Sequence, residues 1–145
     1  MAIEIIHARG HPNILARHKT TFEITKDDEI TKRADCIIAV SADKGATDLS
    51  HKFKQLAKLP DTQIVLEIIV GEILERIIGR GHPNLTFFNK NDLVGRIGSY
   101  TCDRTLMVHA DKAAFHLDRD LAKNMRSKDV EIKFKLIAEP MQNEF

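Results

Sequence analysis

The pentapeptide Arg9-Gly10-His11-Pro12-Asn13 returns unchanged as Arg80-Gly81-His82-Pro83-Asn84. A second set of identities follows each copy. Asp35, Val40, Ala42, Asp43, Lys44, Ala46 and Leu49 align with Asp103, Val108, Ala110, Asp111, Lys112, Ala114 and Leu117 at a constant spacing of 68 residues. Five identities in five, then seven in fifteen, exceed what unrelated segments share, so the 145 residues read as a duplicated unit, 1–70 and 71–138, plus a tail. This constrains the fold more than composition does, because whatever one half forms the other must form too.

The pattern within each half predicts β-β-β-α-β. Residues 3–8 are β-branched and apolar, and Gly10-His11-Pro12-Asn13 stops them with a stiff turn that leaves the imidazole at least partly exposed. Residues 18–25 alternate as a half-buried strand, with Thr20, Phe22 and Ile24 on one face and Lys19, Thr21, Glu23 and Thr25 on the other. Cys36–Val40 is apolar on both faces and reads as a central strand. A helix from Thr47 to Leu59 follows, with Leu49, Phe53 and Leu56 on one face, Thr47 or Asp48 as cap and Pro60 as stop. Ile64–Val70 closes the half. In the second half Ile73–Ile78 and Leu85–Phe88 read as strands, and a loop carries Gly95 and Gly98. Thr105–His109 is then the central strand, Leu117, Leu121 and Met125 line a helix, and Val130–Ala138 closes. After Pro140 the tail is expected to be loose. The fold class is therefore mainly β with two short helices, a β-rich α+β domain. Its duplicated halves pack as one pseudo-twofold sandwich or barrel.

Composition narrows the function classes. A net charge of +1 argues against a dedicated nucleic-acid binder, and no apolar run reaches the roughly 20 residues of a membrane span. Two cysteines without a signal-like start point to a reducing cytoplasm. The seven histidines and two cysteines show no zinc spacing, so no metal ligand is assigned, and no P-loop, dinucleotide fingerprint or nucleophile elbow is present. No cofactor is indicated by any motif.

The strings Gly10-His11-Pro12-Asn13, His18-Lys19-Thr20-Thr21, Ala42-Asp43-Lys44-Gly45, Cys102-Asp103-Arg104-Thr105-Leu106-Met107 and Ala110-Asp111-Lys112-Ala113-Ala114 resemble an archaeal family known as domain of unknown function 371. The likeness covers about residues 3–138. It implies a small intracellular protein with a mainly β sandwich, and implies no activity, ligand or catalytic residue.

Candidate chemistry lies in the repeated polar positions. His11 and His82 recur in matching turns with Arg9 and Arg80 before them, and turn geometry alone asks for neither residue type. Asp43-Lys44 and Asp111-Lys112 stand between a strand and a helix, where free N–H groups favour an anion. Asp103 with Arg104 can form a charge pair or an anion clamp, and His18 adds a third imidazole. Cys102 aligns with Ala34 and reads as filler rather than a nucleophile. The expected function is binding, with or without turnover, of a small anionic or phosphorylated ligand between the repeats. A protein- or RNA-interaction module is the alternative, and a metal-assisted hydrolase is a third reading. A homo-oligomer is compatible with all three.

Overall fold

The computed structural model describes residues 1–141. Eight strands form two sheets. The larger contains β1 (Ala2–Arg9), β8 (Glu131–Glu139), β4 (Gln63–Val70) and β5 (Ile73–Arg80), in that order and antiparallel throughout. The smaller runs β3 (Ile37–Ala39), β2 (Thr21–Thr25), β6 (Asp92–Arg96) and β7 (Thr105–Met107). In it β2 and β6 are antiparallel, while β3 and β7 run parallel to their neighbours. Exchanging β1 with β5, β2 with β6, β3 with β7 and β4 with β8 leaves both orders unchanged apart from direction. Each half of the chain thus runs β-β-β-α-β, with a short 3₁₀ turn before its helix.

Single backbone bridges join the two sheets at both edges. Arg9 exchanges N–H···O bonds with Val40 at 2.8 and 2.9 Å, and Arg80 does the same with Val108 at 2.8 and 3.0 Å. Eight strands therefore make a closed circuit, a sandwich pinched shut at its two corners. The inner face is one apolar cluster in which Ile6, Phe22, Ile24, Ile64, Leu66, Ile77, Leu93 and Phe134 are fully buried.

Several elements differ from the expectation. The helices are shorter: α1 is His51–Ala57, capped by the Ser50 hydroxyl, and α2 is Arg119–Asn124, capped by the Asp118 carboxylate. The stretches around Ala46–Asp48 and Ala114–His116 are 3₁₀ turns, so Leu49 and Leu117 are buried ahead of the helices. Leu85–Phe88 is a loop, whereas the expected loop around Gly95 is strand β6. Gly95 lies there because a Cβ would collide with the Phe22 ring across the sheet. Strands β3 and β7 are edges of the smaller sheet, and are nonetheless buried on both faces. Strand β2 does not alternate in burial, since Glu23 and Thr25 are buried along with Phe22 and Ile24. Of the tail expected to be loose, Met141 is placed, its sulfur accepting from Arg80 Nη1 at 3.8 Å, and residues 142–145 lie outside the described residues.

The repeated pentapeptide ends the helices. His11 N–H donates to Met125 O at the end of α2, and His82 N–H donates to Ala57 O at the end of α1, both at 2.9 Å. Each turn therefore seals the helix of the other half, supplying donors that a helix C-terminus otherwise lacks. The glycines permit the approach, since a Cβ on Gly10 would strike the carbonyl oxygens of Ser127 and Met125, and one on Gly81 those of Ala57 and Leu59. Gly81→Ala is expected to lower the unfolding free energy by about 2–3 kcal/mol in urea titration, since neither carbonyl can retreat without breaking the helix end.

Candidate functional site

The imidazoles of the repeated turns have a structural task. Nδ1 of His11 accepts the Asn13 N–H and Nδ1 of His82 accepts the Asn84 N–H, each at 3.0 Å. Histidine here closes a local turn much as an Asx side chain does. His18 accepts the Thr21 N–H through Nδ1 at 3.1 Å, and His116 accepts the Ala113 N–H at 3.0 Å. Exposure was expected for both turn histidines. His82 is half-buried, but His11 is only 5% exposed. The segment following β2 is three residues longer than its counterpart following β6 and covers the first ring: Nε2 donates to Glu29 at 3.2 Å, and Asn13 Nδ2 donates to Ile30 O.

The Asp-Lys pairs clamp the two edges of the larger sheet. Asp43 accepts the His7 N–H at 3.0 Å and returns its own N–H to His7 O at 2.9 Å. Asp111 does the same at Ile78, with both bonds at 2.9 Å. Lys44 Nζ lies 2.9 Å from Glu4 Oε2, and Lys112 Nζ 3.1 Å from Glu75 Oε2. The second oxygen of each glutamate accepts the N–H of the helix-capping residue, Ser50 or Asp118. Burial pushes the Glu4 carboxyl up, but the Lys44 ammonium and the Ser50 N–H outweigh it and hold the group below its ordinary value. Strands β1 and β5 are separated by three strand spacings, about 14 Å. Each lysine is thus occupied at its own edge of the sheet.

Arg104 is neutralised too, its Nη1 lying 3.2 Å from Glu23 Oε1 and 3.4 Å from Asp92 Oδ2. Asp103 stands outside this group, its carbonyl accepting the Asn89 N–H at 3.0 Å and its carboxylate a long 3.5 Å contact from Asn89 Nδ2. Around the Glu23–Arg104–Asp92 triad, Thr25 Oγ1 donates to Asp92 at 2.8 Å, and Asn91 Nδ2 reaches Asp27, Asp92 and Thr25. Burial, and next the Asp92 charge, push the Glu23 carboxyl up to about 7 against the pull of Arg104. Burial, with Glu23 beside it, also pushes the Cys36 thiol up to about 11. Burial acts the same way on Cys102, but the Arg104 N–H, the Thr105 hydroxyl and the Arg96 guanidinium, at 3.2 Å, outweigh it and hold that thiol below its ordinary value. Reading residues 92–96 as a loop hid this cluster, since Asp92 faces Thr25 only when the two are strand neighbours.

Arg9 lines a shallow hollow with His7, Ser41, Asp43 and Glu131, in which His7 and Glu131 are paired at 3.0 Å. Among the described residues no three His, Cys, Asp or Glu side chains gather as a metal site. A different set of cations does gather. A hollow of about 200 Å³ between the loop after the first repeated turn and α2 is lined by Leu15, Arg17, Arg119, Ala122, Lys123 and Arg126. Arg119 donates to the carbonyls of Ala16, Ala114, Phe115 and Leu117, and Arg126 donates to Pro12 O, so these guanidinium groups are held by neutral acceptors. Among the described residues none of the four cations has a carboxylate within 4.0 Å. A wider hollow of about 660 Å³ alongside shares Lys123 but is lined by Asp120 and Asp129, so its charge is mixed.

Residues 6–139 match the family described as Domain of unknown function (DUF371). The chain belongs to that family. It is also 44% identical over 134 residues to Uncharacterized protein MJ0206 of Methanocaldococcus jannaschii, covering 92% of this chain and 97% of that one. No helix among the described residues of this DUF371 chain is long and apolar enough to cross a membrane.

Glu23 makes stability depend on pH with a definite sign. Its folded value near 7 exceeds the ordinary 4.5, so the folded state binds its proton more tightly. Stability is then expected to fall as pH rises from about 4.5 through about 7. Glu23→Gln should flatten that slope, read as melting temperature against pH.

Proposed function

We propose that the protein binds a small anionic or phosphorylated ligand in the hollow formed by Arg17, Arg119, Lys123 and Arg126. One observation carries this reading: four cations surround one concavity of about 200 Å³ with no carboxylate partner among the described residues. Uncompensated like charges repel and are retained where an anion relieves them. Arg119 and Arg126 are fixed by carbonyls, which spares a ligand the entropy of ordering them. Arg17 and Lys123 contribute free donors. Leu15 and Ala122 supply the apolar floor on which a base or acyl portion rests.

We also read the two halves as copies of one unit, in one domain over 1–145. The hollow then lies between the repeats, the loop coming from the first and the helix from the second. The positions matching Arg17, Arg119, Lys123 and Arg126 in the other copy are Phe88, His51, Gln55 and Lys58, so three of the four lysine or arginine positions differ between the two sides, although Lys54 stands there in place of Ala122. A second reading, a single-stranded RNA surface, is favoured by Phe115, which is 47% exposed beneath Lys19 Nζ at 5.6 Å.

Calorimetry with pyrophosphate, and separately with a short oligonucleotide, tests both readings. Pyrophosphate should bind, and bind more weakly as salt rises. Arg17→Gln with Lys123→Gln should weaken it at least about tenfold, with stability changed by no more than about 0.5 kcal/mol. Lys44→Met with Lys112→Met should do the reverse. Affinity is kept and stability falls by about 3 kcal/mol or more, because Glu4 and Glu75 lose their partners in a mostly buried setting. Unchanged pyrophosphate affinity in the Arg17/Lys123 variant ends the anion reading, and tight binding of the oligonucleotide alone replaces it with the second.

A further inference from the structure

Alternation along the larger sheet sends Ile6, Ile64, Leu66 and Phe134 inward and leaves a second set on the outer face. The register aligns that set in rows across all four strands. Ile3, Ile137, Val65 and Ile78 form one row, four aliphatic side chains on β1, β8, β4 and β5. The next row is Ile5, Lys135, Glu67 and Arg76, and the one beyond is His7, Lys133, Ile69 and Leu74. Ile3 is 49% exposed, Leu74 52% and Ile78 37%, while on the two middle strands Ile137, Lys135, Val65, Glu67 and Ile69 are half-buried by their neighbours alone and Lys133 is exposed. An outward row of β-branched aliphatics is the residue choice of a sheet that packs on another surface.

We propose that this face is the interface of a homodimer. Two copies pack sheet to sheet about a twofold axis that runs parallel to the strands between β4 and β8. Such an axis sets β8 of one copy over β4 of the other and β1 over β5. Ile3 then meets Ile78 of the second copy and Ile137 meets Val65. In the adjoining row Lys135 meets Glu67, and by symmetry Glu67 meets Lys135, two ion pairs from a single juxtaposition. Within one chain Glu67 pairs with Arg76 at 2.7 Å, and Lys135 has no carboxylate within 4.0 Å among the described residues. An axis perpendicular to the strands through the aliphatic row would pair Lys135 with Glu139 but set Arg76 against Arg80 and Glu67 against the neutral Gln63. The size also fits. Four strands of about eight residues present roughly 19 by 27 Å, or about 500 Å² per copy and about 1,000 Å² in all, the lower bound for a specific interface. The edges offer a poorer route, because Asp43 and Asp111 already occupy the backbone of β1 and β5 at His7 and Ile78.

Sedimentation of the full chain from about 1 to about 200 µM decides it. A species of twice the 16.4 kDa chain mass is expected, and a monomer throughout overturns the proposal. Val65→Lys with Ile137→Lys should yield a folded monomer, checked by circular dichroism, and a surviving dimer overturns the proposal. If that variant does not fold, the charge pair decides. Glu67→Lys and Lys135→Glu should each weaken the dimer at least about tenfold, and the two together should restore it to within about threefold. Singles without effect, or a double variant as weak as the singles, also overturn it.

Discussion

Each helix of this protein is finished by the opposite half of the chain. The His11 N–H enters the end of α2 and the His82 N–H enters the end of α1, while the Gly10 and Gly81 N–H groups donate to Val130 O and Thr62 O just beyond those helices. Strand pairing crosses in the same way, with β8 standing between β1 and β4. A half taken alone would leave its helix-end carbonyls, both sides of its fourth strand and the sheet side of its first strand without partners, many unsatisfied backbone groups at once. Helices of six and seven residues have little stability of their own, and here they are held by what lies at each end. Glutamates 4 and 75 hold the starts, through the N–H of Ser50 and Asp118, and the repeated turns hold the ends.

The same logic shows how much was legible in the sequence. Strands β1, β4, β5 and β8 form long apolar alternations against a single inner face, and period-two reading finds such strands. β6 was missed because Gly95 looked like a loop marker, when it is flat against Phe22 for want of space. β2 misled in the other direction: Glu23 and Thr25 sit on its second face, which a polar network rather than solvent covers. Leu49 and Leu117 fit the helical period and so lengthen the helices expected from the sequence, although each belongs to the turn before the cap.

The candidate site was less legible, and the reason is physical. The repeated residues His11, Asp43, Lys44 and their counterparts are bonded to backbone or to a glutamate alike on both sides, with Glu29 added at His11 alone. A contact that a fold needs twice is retained twice. A ligand that needs one cavity places no such demand on the second copy. The hollow proposed above draws on positions where the halves disagree, and Arg17 against Phe88 or Lys123 against Gln55 carry no motif that a single sequence displays.

Disagreement between the halves also marks the outer face of the larger sheet. At the spacings of the sequence repeat, Ile3, Ile137, Val65 and Ile78 match Leu74, Ile69, Lys133 and His7. One row is wholly aliphatic and the related row is half polar. Folding alone does not distinguish them, since both lie outside the core and flank the same four strands. An aliphatic side chain left facing water gains nothing there, and removing it from water is worth roughly 25 cal/mol for each Å² covered. The second copy proposed above would cover one row and leave the other in water, and that difference accords with their compositions. Both halves close the same circuit of strands, and the proposed ligand hollow and the proposed dimer face both rest on positions where the halves differ.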